Sequence, residues 1–500
     1  MAVAQAGGRK EAPARGALPA QPRFSPPAWR EFLEPEKFAA ILVLFWMSGP
    51  VAPLIPNLDS SLGASLSLPD SLSAPSGIND QLLRLSWYPV YVVVLVLAHR
   101  YWHLIWASAK RNWPLLLLLS WTCLSTVWSV SAPDTARRSV ALSLTTTFAV
   151  YLGVRYDPLS ALKLVAIALG IDVIGSAVCA VAFPAVGVTN DADYPGAWRG
   201  LFASKNQLGA MMLIEWLALC VLYFAERHRI YLIGLGAAFA LLLASTSKTP
   251  LFILLSLLPC LALIRRFFRV PRGFSVLLAL ALCVAAIVFI VGSATFDAIL
   301  AFFGRDPTLT GRTDIWYLSW AAIQQRYWAG YGYGAFWANR WGPANDIWDA
   351  LNWRVPSSHS GLLELWLGLG LFGVAVFGML LLRSLYEILS QAARGSCEEC
   401  LWRLGYFIIF VVHAITEPTA MDQTSVSWAL FISVIVARSR IGTVARGNEA
   451  RTIPPAQGAS DVVPRRAAGI ASATSRLRVA APQGRAEVIG GGQGLRPESG

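Results

Sequence analysis

Charged residues are scarce in this chain of 500 residues: Asp, Glu, Lys and Arg make up 14%, whereas hydrophobic residues make up 55%. Soluble globular domains carry about 25% charged residues, because their surfaces must be solvated. The shortage of charge therefore excludes an ordinary soluble domain. It predicts an integral membrane protein.

The chain also lacks the alternation of apolar and polar residues that is typical of transmembrane β-strands. Stretches such as Val92–Leu97 and Leu115–Leu119 are continuously apolar. Runs of about 20 apolar residues are long enough for an α-helix to cross the hydrocarbon core, so we expect an all-α, polytopic membrane protein with about 12 transmembrane helices. The predicted spans are 38–56, 86–104, 114–131, 139–154, 160–185, 207–225, 229–244, 249–266, 274–295, 361–384, 402–418 and 423–438.

Basic residues are unevenly distributed among the loops between these runs. Lys110–Arg111, Glu226–Arg229 and Arg265–Arg272 are rich in arginine and lysine, and such loops face the cytoplasm under the positive-inside rule. An even number of spans then places both tails in the cytoplasm. The predicted organisation is a disordered cytoplasmic tail at 1–37, a transmembrane catalytic domain at 38–438 with a long periplasmic loop at 296–360 between spans 9 and 10, and a disordered cytoplasmic tail at 439–500.

The formal net charge of +12 does not by itself indicate a nucleic-acid partner. A nucleic-acid-binding domain gathers its basic residues on one face, whereas here they are dispersed through loops and tails around lipid-embedded helices. We expect no nucleic-acid binding.

Several basic residues fall in the predicted periplasmic loops, where the positive-inside rule does not explain them. Guanidinium forks match phosphate oxygens, and undecaprenyl pyrophosphate displays its head group at the outer membrane face. The functional interpretation is an anion site there; ordinary solvation of a loop surface is the alternative for any single residue. The residues considered for this role are Arg199, Lys205, Lys248, Arg305, Arg312, Arg326, Arg340 and Arg354.

Arg312 has the most favourable position of these residues. The spacing of Trp316, Trp320, Ile323 and Tyr327 predicts an amphipathic helix, which suits a membrane surface. Arg312 stands at its N-terminus, where unpaired backbone N–H groups and the helix dipole already favour an anion. This is the best candidate phosphate site in the sequence.

His359 is the candidate base. The segment Ser357–Gly361 lies where the long loop enters the tenth predicted span, and a neutral imidazole accepts a hydroxyl proton near pH 7. The other four histidines fall at cytoplasmic boundaries or within a span: His99, His103, His228 and His413. A structural histidine at a helix start is the alternative.

Several other patterns are weaker. The glycines of Gly330–Gly334 favour either a plain turn or close approach of backbone to a ligand. His413 and Glu417, four residues apart, are predicted to share a helical face, either in function or in helix packing. Asp172 lies within a span without a visible partner.

Two patterns resemble metal sites but do not predict one. Asp191-Ala-Asp193 has the form used by enzymes of nucleotide sugars, which the periplasm lacks, and Cys397-x-x-Cys400 has no second Cys or His pair nearby. We expect no metal.

Five stretches, in this order, resemble the superfamily of O-antigen ligases and exopolysaccharide polymerases of bacterial inner membranes. The likeness runs from about 195 to 440. It is nearest to the branch of Wzy-like polymerases that includes the succinoglycan-type exopolysaccharide production protein. The stretches are Trp198–Gly209, Ser245–Thr249, Leu309–Trp316, Gly330–Gly334 and Ser358–Leu365.

The resemblance implies a multi-pass inner-membrane enzyme whose active site faces the periplasm and which needs no metal or cofactor. It implies that Arg199 and Arg312 bind the pyrophosphate and that His359 activates the acceptor hydroxyl. Members often carry His-x-His-Asn-Gly where this chain has Ser357–Gly361. The roles of the replaced His and Asn therefore do not transfer.

The predicted function is polymerisation of undecaprenyl-pyrophosphate-linked repeat units into exopolysaccharide. Transfer of glycan to lipid A core, as by an O-antigen ligase, is the alternative within the class, and a transporter of polysaccharide or lipid-linked sugar is the alternative outside it. The expected partners are carrier-linked donor and acceptor, membrane lipids and a chain-length regulator. The residues assigned to substrate binding are Lys205, Asn206, Lys248, Thr313, Arg326 and Glu417.

Overall fold

The computed structural model describes residues 34–50, 78–189, 195–268, 312–338, 342–392 and 395–437. Across these residues the chain is helical, and its β-structure is limited to one isolated antiparallel bridge between Val188 and Trp198. The predicted all-α fold is confirmed. The predicted span at 274–295 and the predicted C-terminal tail lie outside the described residues.

Most helices overlap the predicted apolar runs, but several ends are shifted. In chain order the helices are α1 (Pro35–Ser48), α2 (Ile78–His99), α3 (Trp102–Arg111), α4 (Trp113–Leu124), α5 (Ala132–Arg155), α6 (Pro158–Ala182), α7 (Pro184–Gly187), α8 (Lys205–Glu226), α9 (Ile230–Ala244), α10 (Lys248–Phe267), α11 (Arg312–Gln325), α12 (Asn345–Leu351), α13 (Gly361–Ala392), α14 (Cys397–Thr416) and α15 (Val426–Val436). Helix α2 begins at Ile78 rather than 86, and α13 ends at Ala392 rather than 384.

Five of these helices are long and apolar enough to cross a membrane, judged by length and composition within the described residues. They are α6, α8, α10, α13 and α14, and α2 with α3 counts as a sixth if a bent pair forms one span. Shorter apolar helices include α9 and α15. A polytopic membrane protein is thus confirmed, whereas the number of twelve spans stays a prediction.

The run predicted as one span at 86–104 is bent. The axis turns by 89° between residues 85–99 and Trp102–Arg111. At the corner the Tyr101 ring packs 5.7 Å from the ring of Tyr151, and the Arg155 guanidinium lies 5.5 Å from the Tyr101 ring. Apolar periodicity alone does not reveal a corner that is held by packing against a distant helix.

The two ends of the bundle differ in composition. At one end, which we call the site end, the starts of α8 and α10 meet through a hydrogen bond from Ser247 Oγ to Asn206 Oδ1 (3.0 Å). Gln207 Nε2 there donates to the carbonyl of Ser48 at the end of α1 (3.1 Å). At the other end Arg383 Nη2 donates to the carbonyl of Arg111 (3.0 Å).

The arginine-rich turns gather at that other end, where the Arg265 guanidinium lies 3.8 Å from the Phe224 ring. Lys163 at the start of α6 pairs there with Glu226 at the end of α8. The predicted topology requires this separation of arginine-rich turns from the site. The side of the membrane that each end faces stays a prediction.

Helix α13 is interrupted in its first half, and a loop forms hydrogen bonds to carbonyls at the interruption. Gly370 has a left-handed backbone (φ 68°), which frees carbonyls that a continuous helix would satisfy. The amides of Tyr331 and Gly332 donate to the carbonyls of Leu367 (2.7 Å) and Gly368 (2.9 Å). The Gly330–Gly334 segment therefore approaches protein backbone closely.

Alanine at Gly330 is expected to destabilise the protein by about 2–5 kcal/mol, the sum of left-handed strain and overpacking. Its φ is +69°, and a Cβ there would lie 2.7 Å from the backbone of Gly368 and Gly370. Gly196→Ala is the matched control, because Gly196 also has positive φ (+81°) but open space around its Cβ position. Thermal unfolding in detergent should show a larger loss of stability for Gly330→Ala; equal losses would contradict the close approach.

Candidate functional site

A large, open cleft lies at the site end. It lies between the end of α1, the starts of α8, α10 and α15, and the end of α14. The polar residues that line it include Ser48, Asn206, Gln207, His413, Glu417 and Asp422. Of the residues predicted to bind substrate, Asn206 and Glu417 lie in its wall.

The start of α8 is fixed at the cleft by its own sequence. Ser204 caps the helix, since its side chain accepts a hydrogen bond from the amide of Gln207 (3.2 Å). Lys205 and Lys248 are the first residues of α8 and α10, and their neighbours Ser204, Asn206 and Thr249 line the cleft. Both lysines are thus next to the cleft in sequence, although neither lines it.

Arg312 reaches the cleft through Glu417. Its Nη1 donates to the carbonyl of Thr416 (3.0 Å), and its Nη2 lies 3.5 Å from Glu417 Oε1. Burial raises the pKa of the Glu417 carboxyl, and the Arg312 guanidinium acts in the opposite direction. Arg312, the first residue of α11, is thereby anchored to the end of α14 and, through Glu417, to the cleft wall.

Glu417 does not share a helical face with His413 as predicted. Helix α14 ends at Thr416, and Glu417 is its extended C-cap (φ −139°), whose amide donates to the carbonyl of His413 (2.8 Å). The helix ends there because Pro418 follows, and the residue before a proline avoids the helical conformation. The partner of Glu417 is Arg312 rather than His413.

His359 sits in a strained turn just before α13. Its φ is +51°, a conformation that few residues other than glycine adopt. Its amide donates to Ser357 Oγ (3.3 Å), and Trp316 Nε1 donates to the carbonyl of Ser358 (2.9 Å). The turn that carries His359 is therefore fixed by α11 as well as by its own side chains.

Glu364 completes this support from the first turn of α13. Its Oε1 accepts hydrogen bonds from the amide of Ser358 (2.5 Å) and from Trp337 Nε1 (2.9 Å). A strained backbone conformation persists only where its surroundings over-determine it. Glu364 is a residue that the sequence reasoning missed, because it was taken as part of an apolar span.

Burial, and after it the nearby Arg312 guanidinium, lower the pKa of His359 to about 4. The imidazole is therefore neutral near pH 7 and can accept a proton. The effect of Arg312 also shows that the two predicted catalytic residues lie within electrostatic range of each other.

Arg199, the third predicted catalytic residue, lines neither this cleft nor the second cleft described below. Its Nε donates to the carbonyl of Val186 (2.6 Å) and its amide to the carbonyl of Gly187 (2.8 Å). The structure places Arg199 in the connection between α6 and α8, where at least its Nε supports the loop.

Arg326 and Thr313, the remaining candidates, line neither cleft. Arg326 Nη1 donates to the carbonyl of Trp128 (3.3 Å), and its guanidinium lies 5.0 Å from the Tyr331 ring. Thr313 is the second residue of α11. The predicted stripe of α11 differs from its buried face, which consists of Ile315, Ser319, Ala322 and Ile323.

A second, smaller cleft adjoins the first, with which it shares Pro418 and Asp422. Arg138, Tyr333, Glu364 and Gln423 are among the residues that line it. Arg138 was not a sequence candidate, because it precedes the apolar run by which α5 was recognised. Its position on the α5 face of Leu142, Thr145 and Ala149, which are all buried, is a signal that could have found it.

The structure leaves some predictions untested. Asp191, Asp193, Arg305 and Arg340 lie outside the described residues. Cys397 and Cys400 are free thiols, and the described part of the chain contains no group of three or more metal-ligating side chains. Asp172 is fully buried in α6, within electrostatic range of Glu215 in α8.

Comparison with known proteins agrees with the resemblance found in the sequence. A family model described as O-antigen ligase matches residues 230–378. The exopolysaccharide production protein ExoQ of Rhizobium meliloti (strain 1021) is 26% identical over 231 residues, which cover 44% of this chain and 53% of the relative. This chain thus matches about half the length of that curated relative. The predicted likeness to the superfamily of O-antigen ligases and exopolysaccharide polymerases is confirmed.

The range matched by the family model covers only some of the candidate residues. Inside it are Lys248, Arg312, Thr313, Arg326 and His359. Outside it are Arg199, Lys205, Asn206 and Glu417. The cleft thus combines a segment within the matched range with helices on either side of it.

Proposed function

We propose that this protein polymerises lipid-linked oligosaccharide repeat units into exopolysaccharide. The family match supports glycan transfer in general, and the likeness to a protein named for exopolysaccharide production favours polymerisation. The donor in this proposal is a glycan on undecaprenyl pyrophosphate, and the acceptor is a hydroxyl of another carrier-linked repeat unit.

The observation that carries the proposal is the position of Arg312, which is anchored through Glu417 to the wall of the large cleft and lies within electrostatic range of His359. The His359 imidazole is neutral and half-buried. A base for the hydroxyl and a cation for the diphosphate are the two groups that glycan transfer from such a carrier requires.

The proposed reaction is one displacement. The acceptor oxygen forms a bond to the anomeric carbon of the donor sugar while the bond from that carbon to the phosphate oxygen breaks. The acceptor proton passes to His359, and the electron pair leaves with the lipid diphosphate. Arg312 stabilises the developing charge on the diphosphate, an effect that commonly supplies the largest part of a rate enhancement.

We further propose that the site end faces the periplasm of a bacterial inner membrane. Separation of the site from the arginine-rich turns supports this orientation, because such turns stay in the cytoplasm. Undecaprenyl-linked glycans would then meet the cleft on the outer face.

Cysteine labelling tests the orientation. Ala350→Cys and His228→Cys place thiols at exposed positions, at the site end and at the opposite end. In whole cells, in a background with the native cysteines replaced by serine, a membrane-impermeant maleimide should label the Ala350→Cys protein only. Both should react after the cells are permeabilised. Labelling of His228→Cys alone in intact cells would reverse the orientation.

Reconstitution tests the activity. Purified protein in lipid nanodiscs, given a defined undecaprenyl-pyrophosphate-linked repeat unit, should produce a ladder of longer glycans. It should release one undecaprenyl pyrophosphate for each glycosidic bond formed. A transporter would move the substrate across vesicles without forming new glycosidic bonds. Absence of bond formation by the folded protein would therefore refute the proposed function.

Ligation to lipid A core is a second candidate, favoured by the description of the matched family model. The two activities differ in acceptor. A strain that lacks the gene should lose high-molecular-weight exopolysaccharide and keep its lipopolysaccharide profile if the protein is a polymerase. Loss of capped lipopolysaccharide with normal exopolysaccharide would identify a ligase.

A further inference from the structure

The second cleft contains a buried cation whose hydrogen-bonding capacity is mostly unused. Arg138 is 1% exposed, and its Nη1 donates to the carbonyl of Gly334 (2.6 Å). Its Nε and Nη2 have no hydrogen-bond partner among the described residues. Buried polar groups are nearly always paired, so the unpaired donors of Arg138 can be satisfied by a bound ligand.

The unused donors are arranged to hold two oxygen atoms at once. Nε–H and one N–H of Nη2 point in the same direction from one edge of the planar guanidinium, and this edge binds pairs of oxygens side by side. Arg138 also lines the cleft. Its remaining contact, with Gly334, fixes the guanidinium from its other side.

The rest of the wall supplies groups of the opposite kind. The Glu364 carboxylate, Asp422 and Gln423 line the same cleft. Glu364 accepts from Ser358 and Trp337, which leaves part of its acceptor capacity unused, because a carboxylate has about four acceptor positions. Donors and acceptors thus face one cavity.

This mixture fits a sugar better than a phosphate. A sugar hydroxyl both donates and accepts a hydrogen bond, whereas a diphosphate only accepts and carries negative charge. Glu364 and Asp422 both lie within electrostatic range of Arg138, so hydrogen-bond acceptors as well as donors surround this position.

We propose that the second cleft is the binding site for a sugar unit of the acceptor glycan, in which Arg138 donates to two neighbouring sugar oxygens and Glu364 accepts from a hydroxyl. The proposal rests on the proposed function. The bond between Ser358 and Glu364 joins this cleft to the turn of His359. An acceptor sugar held there lies beside the base, while the adjoining larger cleft, next to Arg312, takes the donor.

The test compares binding by two variants of neighbouring arginines. Arg138→Lys retains a cation that can reach the Gly334 carbonyl but lacks the two-donor edge. Arg137→Lys is the matched control, because Arg137 is 43% exposed and its Nη2 lies 3.5 Å from Asp134, outside the residues that line the cleft. The probe is the lipid-free repeat-unit oligosaccharide of the polymer made by the source strain, titrated into protein in detergent.

Arg138→Lys should weaken oligosaccharide binding by roughly 10–100-fold, as expected for two hydrogen bonds to a charged group, whereas Arg137→Lys should not change it. The affinity for undecaprenyl pyrophosphate alone should stay within about twofold in both variants. Unchanged oligosaccharide affinity in folded Arg138→Lys would overturn the proposal. A loss confined to undecaprenyl pyrophosphate would also overturn it, since the cleft would then be an oxyanion site.

A second substitution keeps the test decisive if Arg138→Lys does not fold. Gln423→Leu has similar volume but loses the amide in the cleft wall, so it should also weaken oligosaccharide binding.

The binding measurements do not depend on turnover, so failure of the sugar site can be distinguished from failure of the proposed function. Wild-type protein that binds the oligosaccharide without transferring glycan would refute the proposed function alone. Glycan transfer by the wild type, with unchanged oligosaccharide binding in Arg138→Lys and Gln423→Leu, would refute the sugar site alone.

Discussion

Replacement of His359 by alanine is expected to lower the rate of glycan transfer by roughly 10²–10⁴-fold, the usual contribution of a general base. The residual rate arises because Arg312 and the clefts remain. The measurement is formation of polymer from a defined lipid-linked repeat unit at equal protein concentration. Binding of undecaprenyl pyrophosphate should be retained, which separates loss of chemistry from loss of the site.

His359→Gln distinguishes proton transfer from positioning. Glutamine keeps hydrogen-bonding capacity but cannot take up the acceptor proton, so this variant should be nearly as impaired as His359→Ala. His228→Gln is the control, since the same change is made at an exposed position at the opposite end. Full activity in His359→Gln would show that His359 only positions the substrate.

The pH dependence provides a further check on the same residue. Since the pKa of His359 is about 4 in the free protein, kcat/KM should stay level as the pH falls to about 5 and decline only below it. The Arg312 charge lowers this pKa by disfavouring the imidazolium. In Arg312→Gln the acidic decline should therefore move to higher pH; a decline near pH 6.5 in the wild type would contradict the burial of His359.

Substitution of Arg312 by lysine should lower the rate of glycan transfer by roughly 10²-fold, although the charge is retained. The reason is that one ammonium cannot reproduce a bidentate hydrogen bond to phosphate oxygens. The two terminal nitrogens of Arg312 now contact the Thr416 carbonyl and Glu417. The affinity for undecaprenyl pyrophosphate, measured by titration, should fall along with the rate.

Glu417→Gln is the matched test of whether Arg312 serves the substrate or only its ion pair. If the guanidinium binds diphosphate, loss of the Glu417 charge removes a competitor, and donor affinity should stay the same or increase. If Arg312 merely holds α11 against α14, both variants should lose thermal stability and activity to a similar extent. The second result would refute the catalytic role of Arg312.

Local patterns in the sequence predicted most of the helices but not the clefts between them. The spacing of Trp316 and Ile323 predicted a helix at α11, because helical periodicity is a property of neighbouring residues. The buried face of that helix, however, shares only Ile323 with the predicted stripe. The contact of Gln207 with Ser48 joins residues 159 positions apart. No local pattern encodes such a pairing, so the wall of the larger cleft could not be derived.

The start of α5 illustrates a different limit. The predicted span began at 139, whereas the helix begins at Ala132 and includes Pro133, Asp134 and Arg138. Proline is well tolerated in a first helical turn, but charge made this stretch look like loop. Hydropathy therefore left Arg138 outside the predicted helix, although it is the most deeply buried of the described arginines at the site end.

The break at Gly370 has a consequence for exchanging parts between homologues. The loop amides of Tyr331 and Gly332 pair with α13 carbonyls, so the two segments form one structural unit although they are separated in the chain. A chimaera whose junction falls between residues 334 and 361 would unite a loop from one parent with a helix from the other. Such hybrids should be produced poorly, whereas grafts that carry residues 330–371 as a single block should be inserted and folded normally.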